Sequence, residues 1–128
     1  MKKEPFVTNE QLQEIVKQYP TPFHLYDERG IRENAQALKE AFSWNKGFKE
    51  YFAVKATPNP FLINILKEYG CGCDCSSMTE LMIADALKFS GSDVMFSSNA
   101  TPAEEYKFAY DMGAIINLDD FTHIDFLE

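Results

Sequence analysis

A lysine at the end of an apolar segment is the residue of this sequence best suited to covalent chemistry. Lys55 follows the apolar run 51–54 and precedes a turn rich in proline and asparagine. We therefore expect it at the carboxyl end of a strand, which is where parallel α/β folds bind ligands. Partial desolvation by neighbours such as Phe52 and Val54 would keep more of the amine neutral and able to condense with an aldehyde. Position alone would favour an ordinary surface lysine.

Three cysteines form a second chemical cluster, because Cys71, Cys73 and Cys75 occupy alternate positions. In a strand, alternate side chains point to the same face. A zinc site usually combines CxxC pairs with further ligands at matching spacing, and the histidines, His24 and His123, are far away in sequence. We therefore expect reduced thiols packed on one strand face and no metal site.

Polar residues near the later apolar runs are weaker candidates. Ser77 and Glu80 have the spacing of a capping box at a helix start, which is a sufficient structural reason for both. Asn99 stands at the end of the third apolar run. It would either face the same sheet edge as Lys55 or form an ordinary turn before a helix.

The elements that would position these residues alternate regularly between strand length and helical period. The apolar runs are centred about twenty residues apart, which is the length of one tight βα repeat. The predicted strands are 51–54, 71–75, 94–97 and 114–118. Four such units in a row imply a parallel sheet with helices packed on it.

Helix boundaries are marked by familiar signals. Pro60 suits the first turn of the first intervening helix, and Ser77 and Thr101 each begin a capping-box pattern for the next two. A glycine follows each helical stretch, where a left-handed C-cap is expected. These glycines are Gly70, Gly91 and Gly113.

Residues 1–30 are predicted to form an amino-terminal helix and a strand that lead into this array. Thr8 and Gln11 open an amphipathic helix with a capping box, and prolines then interrupt the chain before the extended run 23–26. Asp27 offers the N-cap of the next helix. The spacing permits either a complete open doubly wound sheet or the first half of an eight-fold barrel in residues 31–128. The sequence has no GxGxxG turn and no GxxxxGK[ST] loop.

Composition limits the class of protein. The chain of 128 residues is 45% hydrophobic and carries a net charge of −8, with its 12 Lys and Arg scattered. This charge argues against a nucleic-acid partner, because phosphate attraction needs a basic surface. Its apolar runs are too short to cross a bilayer, so we expect no membrane partner and a cytoplasmic location.

Three ordered sequence blocks carry a resemblance to a known family. The segment 51–56 is similar to the YAVKAN segment of diaminopimelate, ornithine and arginine decarboxylases, which depend on pyridoxal phosphate. The segment 70–81 resembles the G-x-G-x-D-x-x-S-x-x-E-[LI] block of the same fold-type III enzymes, and 21–27 resembles the TPFYVYD entry of the diaminopimelate enzymes. The likeness continues through 94–102 and 113–119.

The resemblance implies the amino-terminal part of an alanine-racemase-like TIM (β/α)8 barrel, with about four βα units present. It also implies that Lys55 binds pyridoxal 5'-phosphate, that Ala53 lies near its ring, and that Asp74 lies beside it. Glu80, Ser77 and Asn99 remain weaker site candidates. The family further implies a homodimer and a small-molecule amino-acid substrate.

The entry segment favours meso-diaminopimelate as the substrate, and therefore lysine biosynthesis. Alternatives are an ornithine- or arginine-type decarboxylase of polyamine synthesis, an alanine racemase, whose VVKANAYGHG-like context is absent, and a non-catalytic cofactor-binding homologue. Thr57 replaces the family asparagine, and 98–100 replaces a Gly-x-Gly, which puts the substrate in question more than the cofactor.

In the family, the phosphate loop, the cofactor-stacking histidine and the partner of the pyridine nitrogen come from later strands. We therefore expect these residues to belong to a longer protein. We also expect the 128 residues alone to associate and to lack decarboxylase activity, because a half barrel exposes strand edges and apolar helix flanks.

Overall fold

The chain alternates helices with strands in the computed structural model, which describes residues 4–127. Within that range, the helices are α1 (Asn9–Gln18), α2 (Glu28–Ala41), α3 (Pro60–Glu68), α4 (Met78–Ala86), α5 (Ala103–Asp111) and α6 (Thr122–Leu127). The strands are β1 (Tyr51–Ala53), β2 (Gly72–Cys75), β3 (Val94–Ser98) and β4 (Ile115–Leu118). Two single 3-10 turns complete the array, the lysine turn (Val54–Ala56) and the floor turn (Gly91–Asp93).

The strands form one sheet over residues 4–127, in the order β1-β2-β3-β4, and every pairing is parallel. A helix connects each strand to the next, as a parallel pairing requires. The predicted βα repeat is therefore confirmed, and the predicted strand boundaries differ from the observed ones by one residue at most.

Most predicted helix starts are confirmed by their hydrogen bonds. Thr8 and Gln11 form a reciprocal capping box at α1. Asn59 caps α3 by accepting from the Phe61 N–H, with Pro60 at the first helical position, and Ser77 is the N-cap of α4. These side chains satisfy backbone donors that have no partner inside the helix.

The predicted capping role of Thr101 is wrong. Helix α5 begins at Ala103, its N-cap is Pro102, and no side chain caps it. Because Pro102 has an extended backbone (φ −61°, ψ 151°), the helix starts one residue later than the capping-box pattern requires. The Thr101 hydroxyl is instead buried without a hydrogen-bond partner among residues 4–127.

Two of the three predicted glycine C-caps are confirmed. Gly70 and Gly113 have φ values of 87° and 72° after α3 and α5. Gly91 does not cap α4, because that helix ends earlier and Lys88 takes the left-handed position with φ 61°. The Phe89 N–H then donates to Ala84 O at 3.0 Å and closes the same type of C-terminal motif.

The hydrophobic core lies between the sheet and helices α3, α4 and α5, and we call this side of the sheet the helix side. Cys73 and Cys75 are fully buried there, so the predicted packing of thiols on one strand face is confirmed for them, and all three cysteines are free. Their partners in the core are Val54, Ile63, Leu81, Ala84, Phe89, Val94, Phe96, Tyr106 and Ala109.

The segment that precedes the sheet is less well packed. Helix α1 buries no residue, and 23–26 forms no strand among the described residues, contrary to the predicted strand. Within residues 4–127, that run has no strand partner with which to exchange backbone hydrogen bonds. Asp27 is the N-cap residue of α2, as predicted, although its side chain makes no capping hydrogen bond. None of the helices between residues 4 and 127 has the length and apolar character of a membrane span.

Candidate functional site

The side of the sheet opposite the core, which we call the open side, presents a row of side chains across the strands. The strand register pairs Ala53 with Asp74, Asp74 with Met95, and Met95 with Ile115. Since paired residues in a sheet point to the same face, these four side chains form one row. The row crosses the sheet obliquely, from Ala53 at the last position of β1 to Ile115 at the first position of β4. Its Ala53 and Asp74 end lies near the carboxyl ends of the strands, which is the ligand-binding end of a parallel α/β fold.

Lys55 stands at the end of this row, in the lysine turn that follows β1. The strand stops at Ala53, one residue earlier than predicted, and the Thr57 N–H donates to Val54 O at 3.2 Å. Pro58 keeps the preceding Thr57 out of the helical region (φ −155°), so the helical turn ends there.

The expected desolvation of Lys55 is not observed, because its side chain is exposed. Val54 is fully buried in the core and Phe52 packs against it, so both neighbours point to the helix side and shield nothing on the open side. Over residues 4–127, Lys55 forms no ion pair within 4.0 Å. The amine is therefore accessible to a ligand that approaches the open side.

Asp74 carries the unusual polar group of the site. Its Oδ1 is buried and has no hydrogen-bond partner among residues 4–127. Burial raises the pKa of the Asp74 carboxyl, the charge of Lys55 opposes this shift, and the charge of Glu80 adds to it. An unpartnered buried acceptor is costly, so the arrangement favours a ligand or a further side chain that donates to it.

Glu80 and Ser77 hold the turn between β2 and α4. The buried Glu80 carboxylate accepts from the Ser76 N–H at 3.0 Å, the Ser76 hydroxyl at 3.1 Å and the Ser77 hydroxyl at 3.1 Å. The Ser77 hydroxyl in turn accepts from the Glu80 N–H at 3.5 Å. These bonds occupy both Glu80 oxygens. A structural role at the start of α4 is therefore sufficient to explain Ser77 and Glu80.

Ser76 was missed by the sequence interpretation, although it supplies two of these hydrogen bonds. A capping box predicts that the glutamate accepts from the backbone N–H of the N-cap residue, here Ser77. Here the glutamate reaches one residue further back, which only the path of the turn determines.

Two further polar side chains lie on the open side. The Asn117 amide approaches the Ser97 hydroxyl at 3.4 Å across the β3–β4 pairing. Alternation from Asp74 through the strand register would have identified both, because they continue its face two residues later. Asn99 lies in the exposed turn after β3 and makes no side-chain hydrogen bond to residues 4–127.

The cysteines lie on the other side of the sheet from this row. Burial raises the pKa of Cys73 to about 11 and raises the pKa of Cys75 further. Both are therefore neutral thiols near pH 7 and poor metal ligands. Among residues 4–127, no three His, Cys, Asp or Glu side chains are grouped as a metal site.

The open side fits an aldehyde cofactor that attaches to an amine. Lys55 offers an exposed primary amine, and Asp74 offers a buried oxygen without a partner on the adjacent strand. Ala53 is small and half-buried between them, which leaves room above the sheet. The donor set therefore agrees with pyridoxal phosphate chemistry.

Sequence comparison identifies relatives that are several times longer than this chain. The chain is 45% identical over 114 residues to Protein TabA of Pseudomonas amygdali pv. tabaci, covering 89% of this chain and 27% of the relative. It is 36% identical over 112 residues to the diaminopimelate decarboxylase of Methanothermobacter thermautotrophicus, covering 87% and 26%. The chain thus spans about a quarter of the length of these relatives.

Structural comparison identifies the same class of enzyme. Lysine decarboxylase from Selenomonas ruminantium matches with a TM-score of 0.85 at 25% identity, covering 98% of this chain and 32% of that one. Diaminopimelate decarboxylase from Helicobacter pylori, solved with L-lysine, matches with a TM-score of 0.82 at 28% identity, covering 91% and 30%. The choice between an open sheet and a barrel is thereby made, because the four βα units are part of the TIM barrel of these enzymes.

The family model described as pyridoxal-dependent decarboxylase, pyridoxal binding domain, matches residues 28–128. This match covers most of the chain and includes every strand and the site residues named above. The chain therefore belongs to the pyridoxal-dependent decarboxylase family, as part of its pyridoxal binding domain.

Proposed function

We propose that the protein containing these residues decarboxylates an amino acid by means of pyridoxal phosphate attached to Lys55. One observation carries the proposal: the exposed Lys55 amine follows β1, whose last residue, Ala53, is the register partner of Asp74, and the buried Asp74 Oδ1 has no partner among residues 4–127. In this proposal, residues 1–30 lead into the barrel and residues 31–128 form its first half.

When bound, pyridoxal phosphate supplies an electron sink for the electron pair released as carbon dioxide leaves. Lys55 would hold the cofactor through its Nζ, which must be deprotonated to act as a nucleophile. When it is not bonded to the cofactor, the same amine could accept or return a proton as an acid–base group.

Asp74 and Ala53 would organise the space around that amine. The Asp74 carboxylate can attract the Lys55 ammonium or accept a hydrogen bond at Oδ1 from a group that completes the site. Ala53 places only a methyl group beside it, so a planar ring can approach the sheet.

The weaker candidates receive positioning roles in this proposal. Glu80 and Ser77 hold the turn after Asp74 through the hydrogen bonds to Ser76 and to each other. Their function would be to fix the end of β2 and therefore the Asp74 carboxylate. Asn99 is exposed after β3 and is free to contact a ligand above the open side.

For the substrate, we favour meso-diaminopimelate, which makes L-lysine the product. Relatives named diaminopimelate decarboxylase from Methanothermobacter thermautotrophicus and Thermoplasma acidophilum are 36% and 30% identical to the chain. Lysine is the second candidate, because lysine decarboxylase from Selenomonas ruminantium has a similar structure. The name of the TabA relative states no reaction, so a cofactor-binding protein without this turnover is a third outcome to test.

We further propose, from the family resemblance, that the protein acts in the cytoplasm as a homodimer. Size-exclusion chromatography of the full-length protein with light scattering would test the dimer, and a monomer with full activity would contradict it.

Attachment to Lys55 can be tested directly in the full-length protein. We expect borohydride reduction with pyridoxal phosphate to label the peptide that contains Lys55, and Lys55→Ala to lose the label while it keeps its circular dichroism. Lys46→Ala is the matched control, because Lys46 is also an exposed lysine in a turn. Labelling at another lysine, or none, would refute the proposal. Carbon dioxide release from meso-diaminopimelate, lysine, ornithine and arginine would then identify the substrate.

A further inference from the structure

The start of β1, at the end opposite Lys55, is tied across β2 to the entrance of β3. The Tyr51 hydroxyl donates to Ser92 O at 2.6 Å, and Ser92 belongs to the floor turn that precedes β3. Since β2 lies between β1 and β3, the Tyr51 side chain must pass over β2 to reach this carbonyl.

Gly72 is the residue of β2 over which Tyr51 passes. The two residues are register partners, and a Cβ on Gly72 would lie 2.7 Å from the Tyr51 ring and 2.6 Å from Asp93 O. Real Cβ atoms do not approach other atoms so closely, so the crossing requires glycine at this position. The Gly72 N–H also donates to Glu50 O at 2.8 Å, which holds β1 against β2 at the same level.

A second contact runs parallel to the first. Lys49 forms an ion pair with Asp93 of the floor turn, and its Nζ lies 5.6 Å from the centre of the Tyr51 ring. The floor turn is itself anchored, because the Gly91 N–H donates to Met112 O at 2.8 Å at the end of α5. The start of β1 is therefore bonded to the floor turn, and the floor turn is in turn bonded to the end of α5.

This fastening matters because β1 is short. The strand has only three register positions with β2. A slip of one residue would move Lys55 by about 3.3 Å and exchange the two faces of the strand. It would put the amine out of line with Asp74.

We propose that Tyr51 and Gly72 form a register clamp that positions Lys55 beside Asp74. Both are positioning residues, because neither lies at the reacting end of the strand. The inference rests on the proposed function of Lys55, but it concerns the sequence positions that hold β1 rather than the cofactor chemistry.

The first test is Tyr51→Phe in the full-length protein, which removes the hydroxyl and keeps the ring. Loss of one hydrogen bond corresponds to a roughly fivefold change in an equilibrium constant. In the cofactor-free protein we expect amide hydrogen exchange in β1 to accelerate about fivefold while β3 is unchanged. In the holoprotein we expect cofactor loss on dilution to be about fivefold faster, with altered visible circular dichroism of the lysine-bound cofactor.

Tyr110→Phe is the matched control, because Tyr110 is 75% exposed on α5 and its hydroxyl makes no hydrogen bond to residues 4–127. We expect it to change none of these measurements. If Tyr51→Phe lowers the melting temperature but leaves the visible circular dichroism and cofactor retention unchanged, its role is only structural and the clamp proposal is wrong.

A pair of variants tests the crossing itself. Gly72→Ala should disturb the lysine-bound spectrum, and Tyr51→Ala in the same chain should restore part of it, because the ring clash is removed while that with Asp93 O remains. Additive effects would overturn the proposal. Lys55→Ala distinguishes the proposed function from the clamp. If the visible band of the cofactor persists in Lys55→Ala, the proposed function is wrong. If Lys55→Ala loses the band but Tyr51→Phe keeps normal visible circular dichroism and cofactor retention, the clamp alone is wrong.

Discussion

The two sides of the sheet are built from the same strands but have different physical character. On β3, Phe96 faces the helix side and is fully buried, whereas the preceding Met95 faces the open side and is only half-buried. On β2, the buried Cys73 and Cys75 flank Asp74, which carries an unpartnered oxygen. Stability therefore resides on the helix side, and the groups with unsatisfied bonding capacity lie on the open side.

This separation follows from the alternation of side chains along a strand. Adjacent residues of a strand point to opposite sides of the sheet and meet different surroundings. One short strand can therefore supply side chains both to the core and to the candidate site. It also means that substitutions on the two sides should have different consequences, which can be measured.

The largest expected difference concerns adjacent residues on β3. Phe96→Ala removes a fully buried ring that packs edge-on against Tyr106, with ring centres 5.7 Å apart. We expect the free energy of unfolding to fall by about 3–5 kcal/mol. Met95→Ala, the control on the open side, should cost roughly 1 kcal/mol or less because its side chain is only half-buried. Chemical denaturation measures both, and equal costs would contradict the comparison.

A smaller effect is expected from a polar atom placed on the helix side. Cys75→Ser buries a hydroxyl in the core, where the thiol is neutral because burial raises its pKa. An unpartnered hydroxyl should cost about 1–3 kcal/mol. Cys71→Ser is the control, because Cys71 is only half-buried and water can reach its side chain. A neutral effect of Cys75→Ser in thermal unfolding would show that the core supplies a partner.

On the open side, removal of a charge should stabilise the cofactor-free protein. Burial raises the pKa of Asp74, so folding favours its protonated form. That favourable contribution is present below the pKa of the unfolded chain and is lost as the pH rises through the folded-state value. We therefore expect Asp74→Asn to raise the stability at pH 7 and to bring no gain below the unfolded pKa. Denaturation at a series of pH values tests this sign, and destabilisation at pH 7 would contradict it.

The smallest expected effect concerns backbone conformation at the end of α4. Lys88 has φ 61°, a region that glycine adopts at lower cost. We expect Lys88→Gly to stabilise the protein by a few tenths to about 1 kcal/mol. Gly113→Ala at φ 72° is the matched opposite and should destabilise by about 1 kcal/mol. The two changes in melting temperature should have opposite signs. A lower melting temperature of Lys88→Gly would contradict the expected gain from glycine at this position.

Local signals in the sequence determined the order and bounds of the elements. Apolar runs of strand length predicted the four strands, and Thr8, Pro60 and Ser77 marked helix starts because a capping side chain acts within three residues of its own position. The same local range explains the errors at Thr101 and Gly91. Each sequence pattern was compatible with a helix cap. In the structure, however, α5 begins one residue later than Thr101 predicts, and α4 ends several residues before Gly91.

Lys55 and Asp74 could also be predicted from the sequence. Lys55 follows an apolar run, and the family-like segments 51–56 and 70–81 contain both residues. What only the tertiary structure decided is how they are surrounded. The exposure of Lys55, the unpartnered Asp74 oxygen and the passage of Tyr51 over Gly72 depend on strand register. Register joins residues about twenty positions apart, and no short-range pattern in the sequence specifies which of them meet.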